Sequence, residues 1–344
     1  MTRVDLTIRG GGIFGLSTAW EATLRGARVR VVESAYIGAG ASGGLVGALT
    51  PHTPEGWNSV KAFQLASLLR AADWWAGVEA VSGLSAGYAR IGRLQPLADE
   101  AAITLAQARA EGAAQLWQGQ ATWQVIPATG AEWEPATPVG LMIHDTLSAR
   151  INPRMALASL AAALQVKGVQ IVLGDVPDEG AVVWATGAAG LAALSQDLNQ
   201  TVGRGVKGQA VLLRLSGYET RPQLFIDGLH IVPHADGTIA IGSTTENQWA
   251  DLATDAQCDA LIDRARKALP ALQDAPEVAR WAGLRPRAAS RGPLIGAWPK
   301  RSRHYVANGG FKIGFGTAIE TARLICDLAL DGKDAIPAEF RLNA

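Results

Sequence analysis

One stretch near the start constrains this chain more than any other: Gly10-Gly11-Gly12-Ile13-Phe14-Gly15, in which Gly10, Gly12 and Gly15 satisfy G-x-G-x-x-G. A short apolar strand, Val4-Asp5-Leu6-Thr7-Ile8, precedes it. Leu16 to Leu24 is helical in pattern after it, and Gly26 stops that helix. A second strand, Val29-Arg30-Val31-Val32, ends on Glu33, eighteen residues past Gly15. In such a unit the first glycine makes the tight turn, the second lets a pyrophosphate approach the backbone, and the third packs helix on strand. The phosphates sit on a helix N-terminus, where free N–H groups and the dipole favour negative charge. Glu33 is placed to accept hydrogen bonds from ribose hydroxyls. The glycines alone are weak evidence; the strand before, the helix after and the acid at the second strand end supply the confirming context.

Composition narrows the class further. At 344 residues the chain exceeds one ordinary domain and can bury a large core. Its 31 basic residues balance 31 acidic ones, so no polyanion partner such as nucleic acid is implied. No apolar run approaches the ~18 residues of a membrane span. The first strand starts almost at Met1, which predicts no signal peptide and a cytoplasmic protein. Cys258 and Cys326 have no metal or redox spacing and read as buried small hydrophobes. No metal site is expected.

The rest of the chain alternates helix and strand. A run of small residues, Gly38 to Gly44, leads into Leu45-Val46-Gly47-Ala48. Such a run cannot pack a core, but it can bring backbone N–H groups close to a flat ligand. Residues 59–80 and 99–114 read as helices, with strand-like pieces such as Gly87–Leu94 between them. Asn152-Pro153-Arg154 opens a helix through Leu164, with Asn152 as N-cap and Pro153 in the first turn. Strands follow at 170–173 and 181–185, the second ending in Thr186-Gly187-Ala188 at a sheet edge where ligands bind in open α/β folds. From 206 to 245 an alternating, glycine-punctuated pattern predicts an antiparallel sheet. A helix is expected at 255–269, a strand at 305–307, a glycine loop at 308–314 and a last helix at 317–331.

Together these stretches resemble the flavoprotein amino-acid oxidases of the D-amino-acid oxidase and glycine oxidase type. The resemblance runs along essentially the whole chain: Gly10-x-Gly12-x-x-Gly15 with Glu33, the Gly40–Gly44 stretch, Asn152-Pro153-Arg154 and Ala185-Thr186-Gly187. It continues through Val206-Lys207-Gly208-Gln209, Ile231-Val232-Pro233 with Gly242-Ser243-Thr244, Trp281–Pro286 and the glycine loop at 309–316. It implies an α/β fold: a doubly wound, Rossmann-like FAD-binding domain (1–78, 150–204 and 283–344) interleaved with a substrate domain on a mixed or antiparallel sheet (79–149 and 205–282). It implies non-covalent FAD held by Gly10, Gly12, Ile13, Phe14, Gly15, Glu33 and Ser34, and by Ala41, Ser42, Gly43, Gly44 and Leu45. Thr186 and Gly187 complete this set, with Gly310, Lys312, Gly314, Phe315, Gly316 and Thr317 from the last loop and helix.

In that family the flavin does the chemistry, so the protein needs no catalytic acid or base of its own. The expected reaction is oxidation of the C–N bond of glycine, a small D-amino acid or an N-methyl amino acid to an imine, with O2 as acceptor. A dehydrogenase feeding a quinone or carrier, and a relative that modifies tRNA wobble uridines, look similar at this level. Arg285 matches the carboxylate-binding arginine, and a planar guanidinium grips a carboxylate bidentately. His230 stands where a tyrosine is common, a departure from the pattern. Lys312 and His52 complete the substrate candidates. Arg287 and Arg291 replace the usual acidic turn and either favour a more acidic substrate or face solvent. Arg9, before the first glycine, either pairs with a phosphate or points to water. Self-association is compatible with the sequence.

Overall fold

The computed structural model describes residues 4–290 and 292–342. The first unit is β1 (Leu6–Arg9), α1 (Ile13–Leu24) and β2 (Val29–Glu33). A 3-10 turn at Ala41–Gly43 and β3 (Ala48–Leu49) lead to α2 (Ser59–Ser82). Next come β4 (Arg93–Pro96), α3 (Glu100–Leu116), β5 (Trp123–Pro127), β6 (Leu141–Asp145) and β7 (Ala149–Arg150). They are followed by α4 (Pro153–Val166), β8 (Gln170–Leu173), β9 (Ala181–Trp184) and α5 (Gly187–Leu198). Then β10 (Gly203–Arg214), β11 (Gln223–Ile226), β12 (Leu229–Pro233), β13 (Thr238–Gly242), α6 (Gln257–Ala268) and β14 (Glu277–Ala288) occur in turn. The last elements are β15 (Leu294–Ala297), β16 (His304–Asn308) and α7 (Gly314–Asp331), with a 3-10 turn at Ala338–Phe340.

Two large sheets result. A six-stranded sheet runs β15-β16-β9-β1-β2-β8, parallel except for β15. An eight-stranded sheet runs β14-β10-β13-β12-β11-β4-β6-β5, antiparallel except where β11 pairs with β4. β1 (Leu6-Thr7-Ile8-Arg9) is buried on both faces from Leu6 through Ile8, as an inner strand of a parallel sheet is. α1 is buried from Ile13 through Trp20, since it lies between the sheet and α7. Arg25 fixes that helix pair by reaching Glu21 on its own helix and Asp327 and Asp331 on α7.

Local capping accounts for several boundaries. Asn152 Oδ1 accepts from the amides of Arg154 and Met155, with Pro153 in the first turn of α4. Asn58 and Asp99 cap α2 and α3 in the same way, and Gly83 ends α2 in the left-handed region at φ +70°.

Three readings of the sequence change. The strand-like stretch 87–94 is mostly irregular: Gly87 (φ +68°) and Gly92 (φ +75°) break it, leaving β4 and an isolated bridge from Ala89 to Arg150. Thr186-Gly187 is not only a turn; it opens α5, whose glycines at 187 and 190 hide its helical pattern. Arg9 lines a large cavity with its guanidinium already engaged by carboxylates. It ion-pairs with Asp175 at 2.8 Å and Asp178 at 2.7 Å and donates to the Val176 carbonyl, all in the loop after β8. Arg291 lies outside the described residues. Among the described residues no helix is long and apolar enough to cross a membrane.

Candidate active site

A cavity of about 1050 Å³ runs from the carboxyl edge of the six-stranded sheet to one face of the eight-stranded sheet. At one end is the glycine turn. Gly10 takes φ +114°, and a Cβ there would meet the Ala185 carbonyl oxygen at 2.4 Å. Gly15 does not line the cavity; a Cβ on it would stand 1.9 Å from the Gly10 carbonyl oxygen, so it serves helix–strand packing. Gly12 is the N-cap of α1 and brings no side chain to it. The cap comes instead from the small-residue run: Ser42 Oγ accepts from the Ile13 amide at 3.0 Å. Glu33 ties the turn to β2, with Oε2 accepting from the Gly11 amide at 2.7 Å and Oε1 from the Ala35 amide at 3.0 Å. Its carboxylate keeps acceptor capacity beyond these bonds.

The sides of the cavity are the small-residue run and the start of α7. Ala41, Ser42, Gly44 and Leu45 line it, with Ser34, Thr186, Gly187, Gly310, Gly314, Phe315 and Gly316. Gly43 does not; it packs on Gly38, where a Cβ would come within 2.2 Å of the carbonyl oxygen. Thr317 is also away from the cavity, its hydroxyl donating to the Ile313 carbonyl inside α7. α7 has no side-chain cap, so its N-terminal amides and dipole favour negative charge at that wall.

The eight-stranded sheet supplies the roof. Register places Trp281, Ala210, Gly242, His230 and Phe225 in one row across β14, β10, β13, β12 and β11. The His230 ring lies 4.7 Å from that of Phe225 at a tilt of 43°, and its Nδ1 has no hydrogen-bond partner among the described residues. Burial, with Arg93 and Lys312 nearby, pushes its pKa down to about 4, so the ring is neutral at pH 7. Arg285 is 8% exposed and donates through Nη1 to the Thr244 carbonyl at 3.0 Å. Burial lowers its pKa to about 10, with only Glu246 opposing the shift. Burial, then Arg285 and Arg287, lower that of Lys312. Arg285, Lys312 and His230 therefore gather at the roof. The only carboxylates among the described lining residues, Glu33 and Asp175, belong to the glycine-turn end.

His52 is not part of this group. Its amide donates to Gln64 Oε1 at 2.8 Å, and the residue does not line the cavity. Arg287 is half-buried and lies over the Phe311 ring at 5.3 Å, so neither sequence expectation describes it fully. Trp281 was missed as a lining residue. Its alternation with Gly283 and Arg285 along one strand face is the signal that could have found it.

The arrangement fits a dinucleotide with a flat ring system. A backbone cradle without side chains at the α1 N-terminus would hold the phosphates, and the glycines at 44, 310, 314 and 316 line the cavity beyond it. The chain matches the family model described as FAD dependent oxidoreductase over residues 5–328. It is 28% identical to the bifunctional protein ThiO/ThiG of Synechocystis sp., over 96% of this chain and 52% of that protein. The chain thus spans about half the length of such bifunctional relatives. It is 27% identical to the glycine oxidase of Pseudomonas putida, over 98% of this chain and 97% of that enzyme. A solved glycine oxidase from Geobacillus kaustophilus shares the fold with a TM-score of 0.85, 24% identity and 99% of both chains covered. L-proline dehydrogenase from P. horikoshii shares it at 0.80 and 19%, over 98% of this chain and 96% of that one. With a family match spanning most of its length, and a cavity shaped for the cofactor, the chain belongs to the FAD-dependent oxidoreductase family and is an enzyme of that family.

Proposed function

We propose that this enzyme oxidises the C–N bond of a small amino acid or secondary amine (glycine, a D-amino acid or an N-methyl amino acid) to an imine, with O2 as electron acceptor. The observation that carries this reading is Arg285: buried, facing the cavity, and without a carboxylate ion-pair partner among the described residues. A buried guanidinium with donors to spare is a receptor for a carboxylate.

Bound flavin supplies the two-electron acceptor for the amine C–H bond. The protein's tasks are holding and orienting. Arg285 holds the substrate carboxylate, and Lys312 adds positive charge beside it. Neutral His230 offers one polar nitrogen without adding a third charge. The N-terminus of α7 favours the negative charge that builds on the reduced ring. Residues 1–78, 150–204 and 283–344 form the FAD-binding domain in this reading, and 79–149 with 205–282 the substrate domain. FAD is held without a covalent bond, and the enzyme works in the cytoplasm.

An anaerobic screen of amino acids and N-methyl amines tests the proposal by bleaching of the flavin absorbance. Bleaching by at least one carboxylate-bearing amine supports it; no bleaching by any of them overturns it. Peroxide formed in air at the rate of turnover marks an oxidase. Turnover only with a quinone or carrier marks the dehydrogenase alternative.

A further inference from the structure

The segment Lys207-Gly208-Gln209 lies on β10, directly beneath Arg285 but outside the chemistry described above. Arg285 belongs to β14 and pairs with Val206, while Gly208 pairs with Gly283. On the other edge of β10, residues 244–246 add a further paired segment. Lys207 exchanges backbone bonds with Glu246, and the Thr244 amide donates to the Gln209 carbonyl. Arg285 Nη1 reaches the Thr244 carbonyl on that far segment at 3.0 Å. Its side chain therefore crosses a whole strand, a span of roughly 10 Å at ordinary strand spacing.

It crosses at Gly208. A Cβ there would stand 1.9 Å from Nη1, 2.2 Å from Cζ and 2.3 Å from Nη2 of Arg285. Gly208 has no left-handed φ, so its backbone conformation does not require glycine. Glycine inside a strand weakens the strand and marks a close approach. Here the approaching group is the guanidinium.

The flanking residues hold the other end of the bridge. Gln209 Nε2 and Thr244 Oγ1 both donate to Glu246 Oε1, at 3.1 and 2.7 Å. Buried Lys207 lies 3.6 Å from the other Glu246 oxygen. Gln209 Oε1 accepts from the Asp255 amide, pinning the loop further along. We infer that Gly208 is a positioning residue, whose bare backbone lets Arg285 lie flat across β10, and that Lys207 and Gln209 fix through Glu246 the Thr244 carbonyl on which the guanidinium anchors.

This inference rests on the reading that Arg285 receives the substrate carboxylate. The test uses the FAD-loaded enzyme and acetate as probe, with affinity read from the change in flavin absorbance and no turnover needed. Gly208→Ala should weaken acetate at least tenfold while FAD content stays full. In Arg285→Lys the flexible chain can bend round a methyl group, so the double variant should bind acetate within about twofold of Arg285→Lys alone, the non-additivity of residues acting through one contact. Unchanged acetate affinity in Gly208→Ala, or losses that simply multiply in the double variant, would overturn the inference and leave the function reading intact. Acetate without effect on the parent enzyme would overturn both. Should Gly208→Ala fail to fold, Glu246→Gln carries the same test. It keeps the side-chain volume and removes the charge that Lys207 holds. A tenfold loss that is non-additive with Arg285→Lys supports the inference; no loss, or an additive one, overturns it.

Discussion

Ser42 Oγ accepts the hydrogen bond of the Ile13 amide at 3.0 Å, so the first helix is capped by a residue from a different loop. The N-cap itself is Gly12, whose lack of a side chain keeps the approach to the turn open. One loop thus satisfies an amide that the turn leaves bare. Ser42→Ala should destabilise the flavin-free protein by about 1 kcal/mol, the usual worth of a side-chain cap. Urea unfolding of FAD-stripped protein measures this, and an unchanged midpoint would show that the bond adds nothing.

Gly12 and Gly15 should fail in different ways. A Cβ on Gly12 meets only the Ser42 side chain, with Oγ at 3.0 Å and Cβ at 3.7 Å, and its φ of −87° suits any residue. Gly12→Ala should fold and lose FAD affinity, because the methyl occupies space the pyrophosphate needs. A Cβ on Gly15 would stand 1.9 Å from backbone oxygen, so Gly15→Ala should lose stability first. Melting temperature and flavin-to-protein absorbance ratio, taken together, separate the two outcomes. Full FAD retention in Gly12→Ala would remove the turn from the cofactor site.

Arg285→Lys should cost carboxylate-bearing substrates roughly 2–5 kcal/mol in kcat/KM, the range for disrupting a buried hydrogen-bonded charge pair. Lysine keeps the charge and loses the planar fork, so the loss reports geometry. FAD content should stay the same. Steady-state and anaerobic reduction kinetics check this; parent-like values with every substrate would make Arg285 structural.

His230 links stability to pH. Its folded pKa, about 4, lies below the ordinary 6.5, so the native state resists taking up the proton. The stabilisation is complete above pH 6.5 and is lost as pH falls toward 4, by up to roughly 3 kcal/mol. His52 and His234 are also shifted downward by burial and act with the same sign. His230→Gln should flatten the fall between these limits without abolishing it. Unfolding free energies measured across that range decide, and an unchanged slope would rule out a contribution from His230.

FAD should leave the protein on acid precipitation. Cys258 and Cys326 are buried in different hydrophobic cores and neither lines the cavity. Yellow colour retained by the washed precipitate would show a covalent bond.

What could be read from the sequence was mostly local. The βαβ unit, the Asn152 cap and the strand alternation from 206 onward depend on neighbouring residues, and each appears where the pattern puts it. α5 and the first turn of α7 escaped notice because Gly187, Gly190, Gly314 and Gly316 look like loop. The parallel pairing of β4 with β11 joins segments more than a hundred residues apart, and no local pattern encodes it. Arg285 was nominated as a carboxylate receptor through resemblance. Its anchor on Thr244 was not foreseen, because that bond depends on the register of two strands and on the side chain Gly208 lacks. His52 does not line the cavity, and its tie to Gln64 on α2 is likewise a contact between elements that no local pattern encodes.

The pairing of α1 with α7 has a consequence for synthesis. The bond from Arg25 to Asp327 joins positions 302 residues apart, and Cys326 Sγ meets the Thr18 carbonyl from the same late helix. At ribosomal speeds of about 5–20 residues per second, roughly 15–60 s pass between the emergence of one helix and the other. During that interval the apolar surface of α1, from Ile13 to Trp20, lacks the helix that covers it in the finished protein. Until α7 has been made, the sheet and α4 are the partners of α1 that can already be in place, so the packing of the first helix is completed only by one of the last.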